Sequence, residues 1–188
     1  MKSSKNIGLV RAKVMTMVFL GFLLIGTPCL AGGAAVGETA PDFSSLSTSG
    51  RIFELSGIEG KTVLLSFWSD WCSSERQELN FLRKVSQRYP EVVIAIVDSE
   101  SGTPSIRSLT RIATSLADWG IGAKILIDRG LEVTGLYNVI ALPTSMLIDP
   151  LGRIAYRQPD FFKSDMDGVS ASLDRAVSVS YLKDAQTE

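Results

Sequence analysis

The sequence predicts an α/β fold, a mixed central β-sheet flanked by helices on both faces, and three observations carry that prediction. The segment 62-TVLLSFW-68 is a nearly continuous β-branched and apolar run, the pattern of a strand buried on both faces at the centre of a sheet. Two more apolar runs, 92-VVIAIVD-98 and 124-KILID-128, follow it with helical periodicity between them. The segment 143-PTSMLIDPLGRIAYR-157 reads instead as two strands joined by a turn at Asp149-Pro150-Leu151-Gly152.

The other elements follow in order. The segment 51-RIFEL-55 alternates as a strand does, and 57-GIEGK-61 reads as a turn. From Ser73 to Tyr89 the residues Leu79, Leu82, Val85 and Tyr89 recur at helical spacing, and Pro90 ends the run. Thr103 and Pro104 are expected to cap and open a second helix, with Ile106, Leu109, Ala113 and Leu116 as its inward stripe before Trp119 and Gly120. A short helix is expected near Leu131–Tyr137. A closing helix is expected over about Ser164–Leu182, with Met166, Val169, Leu173, Ala176 and Val177 inward. The resulting order is β-β-α-β-α-β-α-β-β-α, without internal repeats.

At 188 residues, with 45% hydrophobic and 21% charged residues, the chain has the size and balance of one globular domain behind a targeting segment. Lys2, Lys5, Arg11 and Lys13 precede an apolar run from Val14 to Thr27, then Pro28 and the small residues around Ala31–Ala35, the order of a secretory signal. The apolar run falls short of the ~20 residues that span a bilayer, so cleavage after Ala31 is expected. The alternatives are a membrane tether through residues 14–27 and a lipid on Cys29, the latter disfavoured by Gly26, Thr27 and Pro28 before it. The division is therefore residues 1–31 as signal, 32–49 as a flexible linker and start of the domain, and 50–184 as the folded domain. The expected location is periplasmic or otherwise extracytoplasmic. Without residues 1–31 the chain holds 15 basic against 20 acidic residues, and no basic run argues for a nucleic-acid partner.

Export also decides what the two cysteines mean. Cys29 would leave with the signal, so the mature chain would hold one thiol, Cys72, and no structural disulfide, in a compartment where disulfides are normal. An odd cysteine there is a reactive or a partner-seeking group. The absence of histidine excludes a Cys–His nucleophilic pair and imidazole-based zinc or copper sites, and no metal or other cofactor is expected. Cys72 follows Trp71 on the expected first turn of a helix, where unpaired N–H groups and the helix dipole favour a thiolate. Glu75, one turn along, opposes that negative charge. The bland alternatives are an inert, half-buried Cys72 and a Glu75 that merely suits a first turn.

The combination 41-PDF-43, 67-FWSDWC-72, 76-RQEL-79 and 142-LPTSMLID-149 resembles an exported thioredoxin-like protein of the TlpA/ResA type, the group that also includes cytochrome c maturation reductases. The resemblance covers about Glu38 to Leu182 and implies the thioredoxin fold. It also implies a WCxxC motif at a helix N-terminus, followed by Arg, Glu and Pro and faced by a cis-proline. Trp71, Cys72, Arg76 and Glu78 match that pattern, and Pro143 takes the cis-proline position. Two positions depart: Glu75 replaces the second, resolving cysteine and Asn80 replaces the helix proline. The implied catalytic positions are Cys72 and Glu75, and the implied substrate-binding residues are Trp71, Leu142, Pro143 and Thr144. Trp71 is expected at the rim of the groove and Trp68 in the core.

A dithiol enzyme attacks with one sulfur and releases its partner with the other, a step made fast by being intramolecular. Glu75 cannot perform it. Three functions remain open from the sequence. One is a monothiol redox protein acting on exported protein thiols or disulfides, or on small thiols. Another is a non-catalytic groove around Pro143 that binds an exported polypeptide. The weakest is a thiol peroxidase, whose PxxxTxxC pattern would need proline at Leu65 and threonine at Ser69.

Overall fold

In the computed structural model the described residues are 34–69, 75–100, 105–159 and 166–184. The strands are β1 (Ser44–Ser47), β2 (Ile52–Glu54), β3 (Val63–Trp68), β4 (Val93–Asp98), β5 (Lys124–Ile127), β6 (Thr144–Ile148) and β7 (Ile154–Pro159). The α-helices are α1 (Glu75–Arg88), α2 (Ile106–Asp118), α3 (Glu132–Leu136) and α4 (Met166–Asp184). All seven strands form one sheet in the order β2-β1-β5-β4-β3-β6-β7. The three apolar runs, β3, β4 and β5, pair in parallel at its centre, and β6, β7, β1 and β2 add antiparallel on the two sides.

The sheet is mixed because its connections differ in length. Parallel neighbours need a crossover, and α1 and α2 supply one each, whereas β6 and β7 are joined by the short turn at Asp149–Gly152. There the Asp149 carboxylate accepts hydrogen bonds from the backbone N–H of Leu151 and of Arg153, both at 2.9 Å, and Gly152 takes the positive φ of 75° that closes the turn.

Two apolar clusters sandwich the sheet. On one face Leu79, Phe81, Leu82 and Val85 of α1, Ile112 and Leu116 of α2, and Val169, Leu173, Ala176 and Val177 of α4 cover Leu64, Ile94, Ile96, Ile125 and Leu147. On the other, Phe43, Phe53, Val133 and Tyr137 cover Leu65, Phe67, Val97, Leu126 and Met146. Helices therefore lie on both faces, three of them on the first. Tyr137 is fully buried, its ring edge-on to Phe43 at 5.8 Å, and its hydroxyl donates to the Pro41 carbonyl at 2.7 Å. Burial, with the Asp42 carboxylate beside it, pushes its phenol well above the usual value.

Three expectations are corrected. Residues 32–49 were expected to be flexible, yet β1 lies there and joins β2 to the body of the sheet. Ahead of it, residues 37–40 run along the outer edge of β7: Gly37 N–H donates to the Ile154 carbonyl at 2.8 Å and Ile154 N–H to the Glu38 carbonyl at 2.9 Å. An edge strand needs such cover, and this segment provides it. The cap of α2 is Ser105, whose side chain accepts from Ser108 N–H at 3.0 Å; Thr103 and Pro104 lie outside the described residues. The inward stripe of α2 is Ser108, Ile112 and Leu116, leaving Ile106 84% exposed at the helix start and Ala113 facing out. No described helix is long and apolar enough to cross a membrane; residues 1–33 lie outside the described set.

Candidate active site

The register sets the carboxyl ends of the parallel strands beside the start of β6 at one edge of the sheet. Trp68, Asp98 and Ile127 end the three parallel strands side by side, and antiparallel β6 begins at Thr144 opposite Phe67. The end of β3 at Trp68 and the start of β6 at Thr144, just after Pro143, therefore lie at the same edge. This is where ligands bind in open α/β sheets, beyond the carboxyl ends of the parallel strands.

Trp71 and Cys72 lie outside the described residues, and Glu75 is the first residue of α1. Trp68 is buried in the core, its indole N–H without a hydrogen-bond acceptor among the described residues. The Leu142–Pro143 peptide is cis. Leu142 is half-buried and touches both clusters, while Pro143 is buried. Thr144 is 1% exposed and its hydroxyl donates to the Ala141 carbonyl at 2.7 Å, so its side chain braces the loop.

That loop is braced from its other end by Arg157, a residue the sequence did not single out. Its guanidinium donates to the carbonyls of Tyr137 and Ala34 at 2.8 Å and of Asn138 at 2.7 Å. Burial lowers its affinity for the proton. Three carbonyls converging on one cation fix Asn138, with its positive φ of 48°, and so set where residues 139–143 begin.

Beneath the edge lies a polar layer. Glu78, one turn into α1, is 1% exposed, and Ser66 of β3 donates its hydroxyl to Glu78 Oε1. Ser145 of β6 stands 3.5 Å from the Ser66 hydroxyl. Asp98, fully buried, ends β4 on the face shared by Ile94 and Ile96. On the β5 side Asp128 caps α3, accepting from the N–H groups of Val133 at 2.9 Å and Thr134 at 2.8 Å, and Thr134 Oγ1 lies 2.9 Å from the Ser99 hydroxyl. Three buried carboxylates thus underlie one edge. The sequence signal for Glu78 was available: it stands on the inward stripe with Leu82, Val85 and Tyr89, where a charge must have a partner. Among the described residues no group of three or more carboxylates or thiols could hold a metal ion.

The carboxyl ends of the parallel strands in such a sheet are where a ligand or a reactive side chain is ordinarily placed. The comparisons with known proteins agree with this geometry. Residues 36–157 match the AhpC/TSA family. The thiol-disulfide oxidoreductase ResA of Geobacillus kaustophilus is 35% identical over 120 residues, covering 64% of this chain and 67% of that protein. ResA of Bacillus thuringiensis is 29% identical over 119 residues, 63% of this chain, and the chain spans 66% of that relative's length. The thioredoxin domain of a thiol-disulfide oxidoreductase from Bacteroides vulgatus superposes with a TM-score of 0.59 at 22% identity, over 74% of this chain and 97% of that one.

Proposed function

The chain belongs to the AhpC/TSA family, as a thioredoxin-like protein of the TlpA/ResA type, and from that premise we propose that it is an exported redox protein whose Cys72 acts as a monothiol in thiol–disulfide chemistry. The observation that supports this most directly is the cysteine count: after residue 31 the chain has one thiol, Cys72, and Glu75, the first residue of α1, stands three positions on.

The Cys72 thiolate attacks one sulfur of a partner disulfide. The partner's second sulfur leaves as a thiolate, and a mixed disulfide joins Cys72 to the first. Glu75 has no sulfur with which to attack that bond. A thiolate from outside, a small thiol or a second protein, attacks the partner's sulfur in the mixed disulfide and releases Cys72 as its thiolate. No net oxidation of the protein results, and the external thiol ends bonded to the partner. Leu142, Pro143 and Trp71 are the residues to which binding of the partner around that disulfide is assigned. The leader places the reaction outside the cytoplasm, with residues 14–27 as the tether if the leader is retained.

The test is reduction of a protein disulfide by the purified chain, with and without a small thiol. Turnover should require the small thiol, and without it the product should be a stoichiometric adduct on Cys72. Turnover in the absence of added thiol would overturn the monothiol mechanism. A folded Cys72 inert to thiol reagents would leave the groove as a non-catalytic polypeptide-binding module.

A further inference from the structure

The charges are unevenly distributed. After residue 31 the chain holds more acids than bases, yet α1 and α2 carry Arg76, Arg83, Lys84, Arg88, Arg107 and Arg111, all exposed, against Glu75, Asp118 and the buried Glu78. Net positive charge in an acidic domain therefore lies on α1 and α2, where Arg88 forms an ion pair with Asp174 at 3.5 Å.

Between these helices is a groove of about 220 Å³ lined by Arg76, Leu79, Ser115, Asp118 and Trp119. Arg76, Asn80 and Arg83 follow each other at helical i, i+4, i+7 spacing along the flank of α1 that meets it. The Arg83 guanidinium sits over the half-buried Trp119 ring, 5.3 Å from its centroid, and also donates to Asn80 at 3.3 Å. Arg76 lies four positions past Cys72 in the sequence.

We propose that this groove docks an acidic, extended segment of the polypeptide that Cys72 engages. Its carboxylates pair with Arg76 and Arg83, and an apolar side chain between them lies on Leu79 and Trp119. The inference rests on the preceding reading that Cys72 meets a polypeptide, and it adds that partner's chemistry: an acidic segment with an apolar residue in it. Asp118 at one end repels carboxylates and so sets the direction in which the segment lies. The groove's concavity favours a polypeptide over an anionic lipid surface. So does the scarcity of exposed large apolar side chains on α1 and α2, where among the described residues only Ile106 projects.

The probe is a fluorescent, cysteine-free peptide of Asp and Glu around a central Leu, with a Lys-for-acid twin, titrated against the full chain by anisotropy. The acidic peptide should bind, the twin should not, and binding should weaken with salt. Arg76→Glu with Arg83→Glu should weaken it about tenfold or more, Arg76→Gln with Arg83→Gln by less, and Asp118→Asn should tighten it. Near-UV circular dichroism establishes that each variant is folded, and the Gln pair keeps the test open if the Glu pair is not. Equal binding of the twin, or dissociation constants within about twofold for a folded Arg pair, overturns the proposal. Arg-dependent binding of phosphatidylglycerol vesicles without peptide binding also overturns it, in favour of a membrane face. Because the peptide carries no sulfur, this result is independent of Cys72. Reactivity of the unsubstituted chain toward 2-hydroxyethyl disulfide tests the monothiol reading separately.

Discussion

Ser66, in the middle of β3, donates its hydroxyl to the carboxylate of Glu78, twelve residues later on α1. The two are buried on either side of the segment that carries Cys72, so this bond fixes the depth and rotation at which α1 meets the sheet. A helix docked by apolar contacts alone can slide by part of a turn with little loss. A buried carboxylate with a specific donor cannot.

Removing that donor should therefore cost stability. Ser66→Ala takes one hydrogen bond from a buried carboxylate and should reduce the unfolding free energy by about 1–3 kcal/mol. Ser145→Ala, whose hydroxyl stands 3.5 Å from that of Ser66, should cost less. Urea denaturation of both variants checks the order. A Ser66→Ala protein as stable as its parent would remove the bond from the account of how α1 is set.

Tyr137 gives a pH signature. Its folded-state proton affinity is raised, first by burial and then by Asp42, above the ordinary phenol value of 10.0. The unfolded chain thus loses this proton first as pH rises. Tyr137 contributes its full stabilisation below about pH 10, and above that the contribution falls by about 1.4 kcal/mol per pH unit until the folded phenol also ionises. Tyr89, raised by burial and by its 2.5 Å bond to Asp174, adds in the same direction. In Tyr137→Phe the alkaline decline in urea midpoint should be shallower than in the parent. Equal slopes would contradict the buried phenol.

Much of this architecture was legible in the sequence because the central strands are apolar on both faces, a pattern that needs no knowledge of partners. β1 was not, since 44-SSLS-47 carries a single apolar side chain. It is a strand because β2 and β5 pair with it and because the Ser45 hydroxyl donates to the Ile127 carbonyl at 3.0 Å, all tertiary causes. The α2 stripe was misjudged because Ile106 was counted as core; the cap at Ser105 makes it the first helical residue, projecting from the end. The cis peptide at Leu142–Pro143 could be anticipated by motif. The brace formed by Arg157 could not, because its three partners are backbone carbonyls distributed along the chain from Ala34 to Asn138.

Arg157 should accordingly be more than a surface charge. Arg157→Met removes three carbonyl contacts at once and frees residues 34–36 from β7, at a cost of about 1.5–3 kcal/mol. Limited proteolysis should then cleave the N-terminal segment ahead of the domain. Arg157→Lys, with a single ammonium, should fall between the two. Unchanged protection of the segment in Arg157→Met would show that the backbone bonds of Gly37 and Ile154 hold it unaided.

The last prediction tests the alignment of 72-CSSE-75 with a two-cysteine motif. Glu75 opens α1 three positions after Cys72, the separation at which a helix start brings two Cα atoms within the ~4.4–6.8 Å a disulfide requires. In Glu75→Cys the introduced thiol should close an intramolecular disulfide with Cys72 under mild oxidation, visible as a loss of two thiols without dimer. The substitution also removes the carboxylate that opposes a thiolate on this turn. The variant should then reduce a protein disulfide without added small thiol, because the second sulfur attacks from the same helix turn at an effective molarity that no external thiol reaches. Asn80, at the position where the resemblance implies a helix proline, affects the rate and not the closure. If the folded variant forms only intermolecular disulfides or adducts, residue 75 is not the resolving position, and the monothiol mechanism loses its structural basis.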